Sequence, residues 1–89
     1  MMCVMLERGR IVRASAGRDR EEGFFVVVGE EDGFVLICDG RRRRLEKPKR
    51  KNSRHLLVSD DSVPEEGLRT NRALKRWLRA YAGSERGLD

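Results

Sequence analysis

Four consecutive arginines, Arg41, Arg42, Arg43 and Arg44, open the part of this 89-residue chain with the strongest chemical character. Lys47, Lys49, Arg50, Lys51 and Arg54 follow, so residues 41–54 carry nine basic side chains against one acid, Glu46. A guanidinium is planar and offers five donors in a fork that fits two phosphate oxygens or stacks on an unpaired base. A run this dense suits a polyanion, drawn in by a long-range field and held with release of its counterions. The plainer reading is a solvated basic loop neutralised in part by Asp60, Asp61, Glu65 and Glu66, and it carries less weight at this density. A second basic group, Arg69, Arg72, Lys75, Arg76 and Arg79, falls within residues 69–79 with no acid among them. The whole chain holds 20 basic and 15 acidic residues, so what lies outside these two groups is acidic on balance. The charge is segregated along the chain.

Catalytic chemistry finds little support. His55 is the single histidine. It stands beside Leu56 and Leu57 with no carboxylate or cysteine partner near it in sequence, and reads as a structural residue at a strand end. Ser15, Ser53, Ser59, Ser62 and Ser84 show no nucleophile-elbow spacing. Two cysteines and one histidine fall short of a structural zinc set, and the glycines do not form a phosphate-cradling loop. The chain is therefore expected not to be an enzyme and to take no metal, cofactor or small-molecule substrate. Cys38 lies in the apolar run FVLIC, where a small buried thiol is the ordinary reading. Cys3 and Cys38 are too few for a disulfide-built domain, which points to a reduced, cytoplasmic setting. MMCVML is shorter than the apolar segment of a signal peptide, and no run approaches the length of a transmembrane helix, so no membrane partner is expected.

The elements that must position the basic residues read mostly as strands. With 38% hydrophobic and 39% charged residues in 89, there is room for one modest core. GRIVRASA, residues 9–16, has β-branched residues beside arginines and reads as a first strand, followed by a charged loop over 17–23. FFVVVG at 24–29 and FVLIC at 34–38 are strands apolar on both faces. Asp32-Gly33 between them is a hairpin signal, because both turn positions favour positive φ. Asp39-Gly40 gives a second turn. RRRRL is a candidate short strand, with Arg41 and Arg43 facing one side and Arg42 and Arg44 the other, so that not all four are ligands. KPKRKN around Pro48 reads as a loop, and His55 to Val58 as a closing strand. An acidic connector over 59–69 has a turn of helix near Pro64. Thr70 is the expected N-cap of a helix running to about Ala82, with Gly83 just past its end and residues 84–89 as a tail. Leu74, Trp77, Leu78 and Tyr81 form one apolar stripe on that helix, opposite its basic side. Short strands with tight turns predict a mainly β domain, a small SH3-like antiparallel β-barrel over residues 1–58, followed by one C-terminal α-helix over 70–83 packed on the barrel.

The order of these features resembles a known family. GRIVRASAGRD is similar to the start of a KOW motif, in which a strand runs into a loop with a key glycine. The elements A-G-R-D, D-G, K-P-K and H-L follow one another as in small bacterial KOW-domain RNA-binding proteins. Those are related to KOW-type proteins of the archaeal and eukaryotic large ribosomal subunit. The resemblance covers residues 8–58 well and 59–82, with TNRALKRWL, more loosely. It implies a KOW domain with an SH3-like barrel that binds RNA in the translation machinery, ribosome-associated, with Gly17 as the motif glycine and Arg18 as an RNA contact. Glu21 stands where relatives commonly carry a second glycine, which makes this first loop more acidic.

Residues 41–54 are then expected to act as a flexible basic arm on RNA phosphates, through Arg41, Arg42, Arg43, Arg44, Lys47, Lys49, Arg50, Lys51 and Arg54. Such contacts carry little sequence information, and Phe24 and Phe25 are better explained as core than as base-stacking groups. An alternative is a protein–protein module of the SH3-like type in translation or transcription, docking ribosomal or transcription proteins through the Trp77 and Tyr81 stripe. A third reading is an architectural DNA-binding module using the same arm.

Overall fold

The computed structural model describes residues 6–15 and 23–87, with side chains described as far as Gly83. Five strands form one antiparallel sheet: β1 (Arg10–Ala14), β2 (Phe24–Glu31), β3 (Phe34–Cys38), β4 (Lys49–Lys51) and β5 (Leu56–Ser62). Their order is β4-β3-β2-β1-β5, and one helix, α1 (Asn71–Gly87), follows. The expected mainly β domain with a C-terminal helix is present. Its barrel is not closed, since β4 and β5 are the two edges of the sheet and are not paired with each other. A short 3-10 turn, Ser53–His55, carries the chain from one edge to the other.

β2 and β3 are apolar on both faces because both faces are covered. Phe25 and Val27 join Val12, Val35, Ile37 and Leu56 in one core. Val26 joins Ile11, Cys38, Val63, Leu68, Leu74 and Leu78 in a second core on the other face, with Phe24, Val28, Leu45 and Tyr81 packed against it. Period-two alternation thus feeds two cores from one strand, and a strand buried on both sides shows a continuous apolar run. α1 and the 3-10 turn Glu65–Leu68 supply the cover for the second core. The register slips between Val27 and Gly29 in the β2–β3 pair and between Arg10 and Val12 in the β1–β5 pair. Irregularities of this kind bend and twist a strand.

The β2–β3 turn has Asp32 at φ 51° and Gly33 at φ 84°, the two left-handed positions that Asp-Gly predicts. Thr70 caps α1: its hydroxyl accepts from the Ala73 N–H at 3.0 Å. The helix runs through Gly83 to Gly87 instead of stopping at Ala82.

Three other boundaries differ from expectation. Residues 41–45 are not a strand, because the Asp39 side chain curls them into a turn described below. The fourth strand is instead Lys49–Lys51, immediately after Pro48. An edge strand tolerates a proline at its start, where no ladder hydrogen bond is lost. β5 continues into the acidic stretch as far as Ser62, because Ser62 pairs with Arg10 across the sheet. Strand formation there is decided by the partner strand rather than by intrinsic preference.

Candidate nucleic-acid interface

Asp39 follows β3 directly and is 8% exposed. Its Oδ1 accepts from the backbone N–H groups of Arg41, Arg42 and Arg43 at 2.9, 3.0 and 2.9 Å. The Arg43 carbonyl in turn accepts from the N–H groups of Asp39 and Gly40 at 2.8 and 3.1 Å. Successive amides converging on one oxygen cannot belong to extended backbone, so the arginine run becomes a tight loop. Arg41, Arg42 and Arg44 are exposed on its outside, while Arg43 is half-buried. The choice left open between the arginine pairs therefore resolves into three outward side chains and one partly inward.

The second fixture is Asn71, the first residue of α1. Its Oδ1 accepts from the Leu45 N–H at 2.7 Å, and its Nδ2 donates to Glu46 Oε1 at 2.8 Å. Glu46 also pairs with Arg44, Nε to Oε2 at 3.3 Å. The hydrogen bond from Asn71, ahead of the Arg44 charge, holds the Glu46 carboxyl below its usual range. Leu45 packs on the helix-side core, and Cys38 Sγ donates to the Arg44 carbonyl at 3.4 Å. Gly40, at φ 79°, lies so close to Asn71 O and Lys75 N that a β-carbon there would collide with the helix backbone. Far from being a flexible arm, residues 39–47 form a loop stapled to the start of α1.

That staple brings the two basic groups of the sequence together. Arg41, Arg42, Arg44 and Lys47 lie beside a helix whose Arg72, Lys75, Arg76 and Arg79 are all exposed. Lys49, Arg50 and Lys51 continue along the β4 edge, opposite Ile37, Leu36 and Val35 of β3. Arg54 sits further along, exposed in the 3-10 turn, where the Asn52 side chain accepts its N–H at 3.2 Å. The residues of the run thus form a band that passes from the stapled loop along the β4 edge to the 3-10 turn, with Arg43 partly inward, rather than one cluster. Gly17 and Arg18, with Arg20, lie outside the described residues.

The acidic stretch that follows the run lies elsewhere. Asp60 and Asp61 are on β5, the opposite edge in strand order, and toward the end of it remote from the connecting turn. Asp61 accepts the Tyr81 hydroxyl at 2.8 Å, and Glu65 pairs with Arg8 at 3.2 Å. The helix stripe is largely taken up in packing. Leu74 and Leu78 are buried, and Tyr81 stacks edge-on to Phe24 with centroids 5.0 Å apart. Trp77 lies over Gly67 and keeps 40% of its surface exposed.

Sequence reasoning missed the role of Asn71, Asp39 and Phe34. Asp39-Gly40 was legible as a turn, but nothing in the sequence ties residue 71 to residue 45. Phe34 reads as core within FVLIC, yet it is 39% exposed, with the Arg50 guanidinium 5.5 Å from its ring centroid. His55 is exposed in the 3-10 turn. Neither the family models nor the curated proteins compared with this chain gave a match.

Proposed function

We propose that this protein is a cytoplasmic RNA-binding module of the translation machinery, of the KOW type, that holds RNA phosphates on its basic band and performs no catalysis. The observation that carries the reading is the staple of residues 39–47 to α1, which joins the loop bearing exposed Arg41, Arg42 and Arg44 to the first turns of a helix bearing exposed Arg72, Lys75, Arg76 and Arg79. Ordering the loop before binding lowers the entropic cost of closing it around a ligand. Charge of one sign gathered at one edge favours a polyanion over a random acidic partner. The resemblance of residues 8–58 to KOW proteins supports RNA and a ribosomal setting over the alternatives.

The test is fluorescence anisotropy with ribosomal RNA fragments and matched duplex DNA across a salt series. Changing Arg41, Arg42 and Arg44 to glutamine is expected to weaken RNA binding and flatten its salt dependence. Each lost phosphate contact lowers the slope of log K against log salt by about 0.7 to 0.9. A slope unchanged by all three substitutions rejects the band as the RNA site. Equal affinity for duplex DNA would favour the architectural DNA-binding reading.

A protein-binding reading rests on the exposure of Trp77. It predicts that Trp77→Ala abolishes partner binding while the arginine variant leaves it intact.

A further inference from the structure

Phe34 is an aromatic residue with no place in either core. It opens β3 immediately after the Asp32-Gly33 turn, opposite Glu31, and neither hydrophobic cluster includes it. Arg50 reaches over it from the neighbouring edge strand, its guanidinium carbon 5.5 Å from the ring centroid. Arg50 Nη1 also lies 3.9 Å from Asp32 Oδ2, so a carboxylate on the turn helps to aim the guanidinium. The result is a solvent-facing ring and a planar cation held together at the end of the basic edge.

We infer that Phe34 and Arg50 form a stacking site for one unpaired nucleobase, an inference that rests on the RNA reading above. Bases splayed out of a helix are taken up on aromatic faces and guanidinium planes, whereas paired bases are not available to them. The position fits a second point of contact on one RNA. Cys38 is four positions along the strand from Phe34, about 14 Å at the rise of a strand. The stapled loop leaves from the Cys38 end, and Arg50, opposite Leu36, lies on the same face of the sheet as Phe34 and Cys38, whereas Lys49 and Lys51 share the other face with Ile37 and Val35. An RNA held by its phosphates at the loop can therefore continue past Arg50 on that face to an extruded base at Phe34. The substrate class this defines is an RNA helix interrupted by a bulged or loop nucleotide, in preference to a uniform duplex.

The experiment compares two RNA hairpins of equal length, one fully paired and one carrying a single bulged adenine, by anisotropy at fixed salt. Wild type, Phe34→Ala, Phe34→Leu and Phe34→Trp are measured, with circular dichroism to verify folding. Wild type is expected to prefer the bulged hairpin, and Phe34→Ala to lose about 5- to 100-fold on that RNA alone. Phe34→Leu keeps apolar bulk without a π face and should lose the preference too, while Phe34→Trp retains it. Placing 2-aminopurine at the bulge adds a direct readout: its fluorescence falls on binding wild type and stays high with Phe34→Ala. Equal wild-type affinity for the two hairpins overturns the stacking site and leaves the RNA reading standing. So does a Phe34→Ala loss that is the same on both. Failure of wild type to bind either hairpin overturns both readings together.

Discussion

At Asp39 one side-chain oxygen satisfies three consecutive amides from a nearly buried position, so the arginine loop depends on a single acid. Removing it leaves amides unpaired near the core, where each lost hydrogen bond to a charged group costs about 1.5–3 kcal/mol and the losses are not additive. Asp39→Ala is expected to cost about 2–4 kcal/mol in urea unfolding, and Asp39→Asn, which keeps an acceptor, distinctly less. Both variants make the protein more basic. RNA affinity should nonetheless fall with Asp39→Ala, because the arginines lose their arrangement. A rise in affinity would show that charge alone governs binding. Next to it, burial and then the Asp39 charge push the Cys38 thiol from its ordinary 9.0 up to about 11. The unfolded thiol releases its proton near pH 9 while the folded one keeps it, so stability is full below pH 9 and declines toward about pH 11. The gap corresponds to about 2–3 kcal/mol. Cys38→Ala should flatten that part of a urea-derived pH–stability curve relative to wild type.

Between elements, the decisive junction is that of the 39–47 loop with the start of α1. Gly40 is held at φ 79° against the helix backbone, so a side chain there meets both a strained conformation and an immovable neighbour. Gly40→Ala should destabilise by more than about 1 kcal/mol in thermal unfolding, with part of the cost falling on the loop. Asn71→Ala removes both bonds of the staple and should loosen the loop with little harm to the helix, whose cap is Thr70. Hydrogen exchange at the Leu45 amide measures this: faster exchange there with α1 protection retained is the expected result. The same junction marks the limit of what the sequence discloses. β2, β3, their Asp-Gly turn and the Thr70 cap were legible because each is written in a local pattern. The two-sided apolar runs of β2 and β3 also announced that a helix must cover one face. Residues 41–45 and 49–51 carry similar side chains, however, and which becomes strand is settled by the Asp39 carboxylate and by pairing with β3. Nor does any pattern join Asn71 to Leu45, which are 26 positions apart. Phe34 went unread for the same reason: exposure depends on where the sheet ends, and a strand-end aromatic looks like a core one.

Over the whole molecule, the strand order sorts charge into a basic edge at β4 and an acidic one at β5. The principal extents are 34, 30 and 25 Å. Electrostatic screening at physiological salt acts over about 8 Å, so an acid further than that from a phosphate on the loop acts on it only weakly. Net charge is then a poor guide to affinity, and position should decide. Asp60 on β5 and Glu66 in the 3-10 turn before α1 are exposed, and Asp60→Asn with Glu66→Gln makes the protein more basic without changing any residue of the band. At 0.15 M salt this double variant should bind RNA within about two-fold of wild type. At 0.01 M, where screening extends to about 30 Å, it should bind measurably faster and tighter, since the far edge then contributes to steering. The Arg41, Arg42 and Arg44 glutamine variant should be weaker at both salts. If removing the two acids instead strengthens binding at 0.15 M by as much per charge as removing the arginines weakens it, binding is a property of overall charge, and the stapled loop has no special part in it.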